Sequence, residues 1–286
     1  MNAPRLIGVL HLPPLPGSPG ATHLSPVQAL HQAAERAIAE ARLLERAGFE
    51  ALILENFGDV PFYRDRVPPE TVAALSMLAG ATRQATNLPL GINVLRNDAF
   101  AALAIAACSG AEFIRVNVLS GVAATDQGMI EGRAAELLRE RARLGAQVEI
   151  LADAHVKHSR SLSSDSITLA IEEIAGRGGA TGVIITGATT GRSVDTQVLA
   201  EAGAAARHCG VPLYIGSGAT AETLPALYEH AHGVIVGSAL REGGQAGADL
   251  DLKRVRELVK AYAKLQARPK RKSKAGRTSS RMTKKK

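Results

Sequence analysis

Short apolar runs of β type alternate along the chain with longer stretches whose apolar residues recur every three or four positions, and the cycle repeats eight times. The β-type runs are Leu6–Leu12, Ala51–Asn56, Leu90–Leu95, Phe113–Val118, Glu149–Lys157, Gly182–Gly187, Leu213–Gly218 and Gly233–Ser238. Between them, stretches rich in Ala, Leu, Glu and Arg, such as Val27–Ala47, Val72–Ala85 and Asp195–His208, carry the helical spacing. Ser25-Pro26-Val27-Gln28 forms a capping-box pattern at the start of the first helix, with proline at the first helical position. Gly48, Gly110, Gly145 and Gly210 fall where helices stop and the backbone needs the left-handed conformation. Pro225 lies near the start of the helix after the seventh strand, so that helix must begin late or bend.

Strands alternating with helices imply right-handed parallel crossovers. Eight of them in a chain of 286 residues favour closure into a single (β/α)₈ barrel, a TIM barrel, over residues 1–267, in preference to an open doubly wound sheet. Side chains alternate faces along a strand, so Ile114, Val116 and Val118 should face the helices while Arg115 and Asn117 face the barrel axis. In the fifth run Ala152, Ala154 and Val156 face out, and Asp153, His155 and Lys157 face in. So many inward polar residues do not suit an inert core.

Composition adds limits. An apolar share of 46% with 28 Gly supports a sizeable alternating α/β core. The two cysteines, Cys108 and Cys209, show no CxxC or Cys/His spacing, which argues against a disulfide framework or zinc knuckle and points to a reducing cytoplasm. No apolar run approaches the roughly 18 residues of a membrane span, and Leu6–Leu12 lacks a secretory cleavage region. The net charge of +7 is unevenly placed: ten Lys or Arg lie from Arg268 onward, so residues 1–267 hold 24 bases against 27 acids, a net −3. Residues 268–286, basic and without aromatics, should be a solvated tail. Weak contact with a polyanion or a membrane surface is one role for it, and a charged appendage with no specific partner is the other.

In such barrels the site forms at the carboxyl ends of the strands. That rule selects His11, Glu55, Asn56, Asn93, Arg96, Arg115, Asn117, Asp126, Gln127, Asp153, His155, Lys157 and His158, together with the turns after the last three strands. The turns Gly216-Ser217-Gly218-Ala219-Thr220 and Gly237-Ser238-Ala239-Leu240 are the most specific signal. Glycine lets backbone approach an anion, N–H groups at the next helix start donate to it, and the helix dipole adds positive potential. A third turn, from Thr186 and Gly187 to Gly191, extends this with hydroxyls. The bland reading of the first two is tight turns that need flexible residues, and of the third a flexible loop.

Asp153 and Lys157 share an inward face and suit proton transfer, with a structural ion pair as the alternative. A Schiff base at Lys157 is disfavoured because an adjacent aspartate raises its pKa. No cofactor is required by the sequence. A divalent metal held by Asp153 and His155 with His11 and Glu55 is the less favoured alternative to plain hydrogen bonding. The proline-rich loop from His11 to Pro19 is either a rim over the barrel mouth or a rigid connector.

Several stretches match the BtpA family, which is linked with photosystem I biogenesis in cyanobacteria. They are Gly8-Val9-Leu10-His11-Leu12, Pro14-Leu15-Pro16-Gly17-Ser18, Glu55-Asn56-Phe57-Gly58-Asp59-Val60-Pro61-Phe62 and Gly91-Ile92-Asn93-Val94-Leu95-Arg96-Asn97-Asp98. Arg115-Val116-Asn117, Thr125-Asp126-Gln127-Gly128, Val156-Lys157-His158 and Gly216-Ser217-Gly218 add to them. The chain resembles this family over roughly residues 5–262. The resemblance implies a barrel of the ribulose-phosphate-binding type and names no reaction.

Two functions follow. The first is an enzyme acting on a phosphorylated sugar or nucleotide by isomerase, lyase, or glycosyl-transfer or hydrolysis chemistry. The phosphate would sit on Gly187, Gly216, Ser217, Gly218, Gly237 and Ser238. His11, Asn56, Asn93, Arg96, Arg115, Asn117, Asp126, Gln127 and Thr186 would orient the rest, and Asp153, Lys157 or Glu55 would move protons. The second is a non-catalytic assembly factor that kept a ligand site. Either could be a homo-oligomer.

Overall fold

The structure, a computed structural model, describes residues 3–154, 159–163, 166–187 and 195–267. Its strands are β1 (Leu6–His11), β2 (Ala51–Glu55), β3 (Leu90–Asn93), β4 (Phe113–Val116), β5 (Val122–Thr125), β6 (Gly128–Glu131), β7 (Glu149–Ala154), β8 (Ser159–Ser161), β9 (Gly182–Ile185), β10 (Leu213–Ile215) and β11 (Gly233–Val236). Its helices are α1 (Pro26–Ala47), α2 (Pro69–Ala85), α3 (Ala99–Ser109), α4 (Ala134–Arg143), α5 (Ile167–Glu172), α6 (Thr196–Cys209), α7 (Leu224–His230) and α8 (Leu252–Gln266). Eight parallel strands close in the order β1-β11-β10-β9-β7-β4-β3-β2, with β1 paired to both β2 and β11. All eight β-type runs are barrel strands, so the (β/α)₈ barrel is the fold. Among the described residues no helix is long and apolar enough to cross a membrane. The basic segment 268–286 lies outside the described residues.

Alternation along the strands builds two cores. Ile7, Val9, Ala51, Ile53, Phe113, Leu151, Ile184, Tyr214 and Ile235 fill the barrel, while Leu52, Leu54, Ile114, Val116, Ala152 and Ala154 pack outward under the helices. The exception is Val118. It was expected under the helix layer but clusters with Ala123 and Ile130, because the chain leaves the barrel ladder after Val116. The Asn97 side chain replaces the ladder: Val118 N–H donates to Asn97 Oδ1 at 2.8 Å, and Asn97 Nδ2 donates to the Val118 carbonyl at 3.0 Å. Beyond that point β5 and β6 form an antiparallel hairpin, and β8 pairs with β5. This three-stranded sheet is absent from the sequence-level expectation.

Helix boundaries follow local chemistry. The Ser25 capping box is present in both directions, and Gly48, Gly110, Gly145 and Gly210 all have positive φ. Helix α7 accommodates Pro225 by starting only at Leu224, so the proline sits in its first turn.

Helix α1 buries an alanine stripe, Ala29, Ala33, Ala37 and Ala41, ending in Leu44. Glu40 interrupts that stripe. Its carboxylate accepts from both terminal nitrogens of Arg241, at 2.6 and 2.9 Å, and Arg241 is 0% exposed. Arg241 also donates to the carbonyls of Val9 and Ala248, while Arg36 donates to Glu40, Gly247 and Ala248. The pair therefore ties α1, β1 and the loop after β11 together on one side of the barrel mouth. Removing Arg241 leaves the buried Glu40 carboxylate with the partly exposed Arg36 as its remaining charged partner. Arg241→Met should lower unfolding free energy by about 3–5 kcal/mol in denaturant titration; a change within experimental error would show that the pair is dispensable.

Candidate functional site at the barrel mouth

A cavity of about 260 Å³ opens at the carboxyl ends of the strands. It is lined by His11, Glu55, Arg96, Arg115, Asn117, Gly216, Ser217, Gly218, Gly237 and Ser238, and by Phe57, Val60, Phe62, Leu95, Ala219, Ala239 and Ala246.

Behind its lining residues Arg115 and Asn117 lies a buried polar network. Arg115 Nε and Nη2 donate to the two oxygens of Asp153, at 3.1 and 3.0 Å, and Asn117 Nδ2 donates to Asp153 Oδ2 at 2.8 Å. Asn93 Nδ2 donates to the Arg115 carbonyl and to Asn117 Oδ1. Burial works against the Arg115 charge, but the fields of Asp153 and Glu55 and the hydrogen bond to Asp153 outweigh it and raise its pKa. Burial lowers the pKa of Arg96, against the pull of Asp153, Asp126 and Glu55 and with the added repulsion of Arg115. Two guanidinium groups, Arg96 and Arg115, and the Glu55 carboxylate thus line one mouth, with Asp153 buried behind them.

One side of the cavity is formed by the turns after β10 and β11. Gly218 has φ +71°, and a Cβ at Gly216 would lie 3.6 Å from Arg115 Nη2, so the guanidinium borders this turn. Gly187 N–H donates to Ser217 Oγ at 2.6 Å, which joins the turn after β9 to the one after β10. The N–H groups of Gly218, Ala219, Ser238 and Ala239 have no protein acceptor among the described residues. The donors differ from those expected in one respect. Helix α7 has seven residues and begins well past Gly218, while the turn after β11 runs into a single 3₁₀ turn, Ser238–Leu240. Local N–H groups, not a long helix dipole, make this side of the cavity electropositive.

On the neighbouring side, Gly247 N–H donates to His11 Nδ1 at 3.3 Å. A ring nitrogen that accepts has no proton, so the neutral ring carries its hydrogen on Nε2, which lies 3.8 Å from Glu55 Oε1. The His11 ring also rests on Gly237, where a Cβ would come within 2.9 Å of Cε1. A carboxylate beside an imidazole N–H can pass a proton to and from a bound group.

The remaining sequence-selected residues lie around this centre. Asn56 and Asp153 are buried and do not line the cavity; Asn56 Oδ1 accepts from Leu95 N–H at 2.8 Å, and Asn56 Nδ2 donates to Asp59 at 3.1 Å. Thr186 abuts Gly216. Asp126 and Gln127 sit at the tip of the β5–β6 hairpin, where Gln127 donates to Asp126. Lys157, His155 and His158, and residues 188–194 of the third turn, lie outside the described residues. Among the described residues no three His, Cys, Asp or Glu side chains gather as metal ligands would. The proline-rich loop does not line the cavity. It backs the loop after β2, packed so closely that a Cβ at Gly58 would come within 2.5 Å of Pro13 and Pro14 backbone atoms.

Sequence reasoning passed over Phe57, Val60 and Phe62 as lining residues. It also passed over Glu40 and Arg241, although a glutamate set in an alanine stripe was a readable sign of a buried partner.

The fold and its mouth define a TIM barrel with a cavity at the carboxyl ends of its strands. The chain belongs to the BtpA family: the family model matches residues 2–264. A relative named Photosystem I biogenesis protein BtpA, from Synechocystis sp., is 45% identical over 266 residues, covering 92% of this chain and 90% of its own. An uncharacterized protein from Pyrococcus horikoshii is 45% identical over 264 residues, covering 92% and 98%. Among solved structures, the phosphoribosyl anthranilate isomerase from Thermus thermophilus aligns with a TM-score of 0.56 and 13% identity, covering 91% of this chain and 99% of its own. That likeness is one of fold.

Asp59 anchors the rim. Its carboxylate accepts from Leu15 N–H at 2.8 Å and from Asn56 Nδ2 at 3.1 Å, yet burial outweighs these bonds and raises its pKa above 3.8. The folded protein therefore holds this proton more tightly than the unfolded chain does. Stability from it is full below about pH 4 and is lost as pH rises through the raised value. The stability of wild type relative to Asp59→Asn should fall in denaturant titrations as pH rises from the ordinary carboxylate range through the raised value; a difference independent of pH would contradict the assignment.

Proposed function

We propose that this barrel binds a phosphorylated sugar or nucleotide at its mouth and carries out acid–base chemistry on it. The supporting observation is the set of four N–H groups, from Gly218, Ala219, Ser238 and Ala239, that border the cavity without a protein acceptor. Converging amides beside a guanidinium suit a phosphate, because each donor gains a charge-assisted bond that the protein itself leaves unmade. In this reading Arg115 supplies the adjacent positive charge. Asp153, enclosed by Arg115 and Asn117, positions that charge and is not itself the group that meets the ligand. Glu55 and the Nε2–H of His11 face the cavity and move protons. Lys157 would join them from the segment beyond β7. The aligned isomerase is, by its name, one of a phosphoribosyl compound, which agrees with a phosphorylated ligand.

Isomerisation, elimination, and glycosyl transfer or hydrolysis all use such a set. A non-catalytic assembly role is the weaker reading, since a scaffold has no use for carboxylates and guanidinium groups buried around a cavity.

Isothermal titration with ribose 5-phosphate tests the anion site. Gly237→Val should weaken binding at least about tenfold, because the side chain blocks backbone approach and displaces His11. Circular dichroism should show the fold retained. Unchanged affinity in the folded variant would refute the proposed phosphate position.

A further inference from the structure

The cavity has two chemically unlike ends. At one lie the unpartnered amides and Arg115; at the other the loop after β2 presents Phe57, Val60 and Phe62, with Leu95 beside them. Leu95 is buried, but protein leaves part of the others open: Val60 is 55% exposed, and Phe57 and Phe62 are half-buried. Nor is the loop loose. Gly58 N–H donates to the Leu12 carbonyl at 3.0 Å, Asp59 holds Leu15, and Asn56 holds Leu95. Arg96 N–H donates to the Tyr63 carbonyl at 3.0 Å just past Phe62. Phe57 is wedged between the His11 ring, 4.6 Å away at 38°, and Gly247, where a Cβ would lie 3.2 Å from its ring. A fixed aromatic surface open to a polar cavity is what a planar apolar ring needs from a binding site.

His11 touches Gly237 on one side and Phe57 on the other, and Glu55 lies 3.8 Å from its Nε2, so these two hydrogen-bonding groups stand between the ends. The order across the mouth is therefore anion donors, then polar side chains, then aromatic faces. The volume of about 260 Å³ falls just below the usual range for ligand pockets of roughly 300–1,000 Å³, which leaves room for a single small ligand. From this order we infer that the ligand is a nucleoside 5′-monophosphate, with its phosphate on the two glycine turns, its ribose against Glu55 and His11, and its base on Phe57 and Phe62. The inference rests on the phosphate reading above for one end of the molecule. The other end is carried by the aromatic loop alone. Stacking tolerates any base, since each has a π face, so the identity of the base is set by its edge contacts.

Titration calorimetry on the full chain with AMP and UMP, ribose 5-phosphate, and the nucleosides adenosine and uridine tests both ends. At least one nucleotide should bind tenfold or more tightly than ribose 5-phosphate. Phe62→Ala should remove most of that ratio, and Phe62→Tyr, which keeps a π face, should restore it. Nucleotides that bind no tighter than ribose 5-phosphate, or a ratio unmoved by Phe62→Ala, would overturn the base platform and leave the phosphate site standing. Nucleosides that bind as tightly as their monophosphates would overturn the phosphate reading, and the nucleotide inference with it, while sparing the aromatic platform. Failure of every probe would overturn both.

Discussion

Asp153 stands inside the barrel with both carboxylate oxygens taken up by Arg115 and Asn117, on strands β7 and β4 and the residues just beyond them. A charge in that position costs several kcal/mol to desolvate, and only a complete set of partners offsets it. The barrel meets this need by geometry. Closure places every second side chain of each strand inside, and register sets Arg115 opposite Leu151, one inward step below Asp153. Asn93 on β3 then joins by bonding to the Arg115 carbonyl and to Asn117. Three strands are thereby locked at the level where the cavity begins, and Arg115 is held with one nitrogen beside the turn after β10.

The rest of the mouth is fixed from outside. The Glu40–Arg241 pair anchors the loop after β11 to α1, and that loop delivers Gly247 to His11. Asn56 and Asp59 shape the loop after β2 and connect it to β3 and to the proline-rich segment. Most buried polar bonds around the site hold backbone or other side chains in place. Among the described residues, the groups that line the cavity are loop amides and hydroxyls, Arg96, Arg115, Asn117, Glu55, His11 and an aromatic rim. A site supported in this way spends little entropy on ordering when a ligand arrives.

The barrel was legible because its signals are local and repeated. Eight runs, glycine stops and a capping box each follow from near neighbours in sequence. The inward orientation of Arg115 and Asn117 was equally readable from strand alternation. What escaped depends on contacts distant in sequence. The hairpin of β5 and β6 is built from strands of four residues, too short to show a period, and Val118 followed the hairpin because Asn97 captured its backbone. Phe57 and Phe62 look like ordinary apolar residues until the loop is bent by Asp59 and backed by Pro13 and Pro14. The partner of Asp153 was sought in Lys157, four residues along the chain, whereas Arg115 is thirty-eight residues away and adjacent only in the closed sheet.

In the proposed function, the two turns after β10 and β11 form an anion site from their own amides. Amide NMR titration of isotopically labelled protein with inorganic phosphate addresses it directly. Saturable downfield proton shifts are expected at Gly218, Ala219, Ser238 and Ala239, the change an N–H shows on gaining a charged acceptor. Shifts confined to residues elsewhere, with these four amides unmoved at saturation, would contradict it.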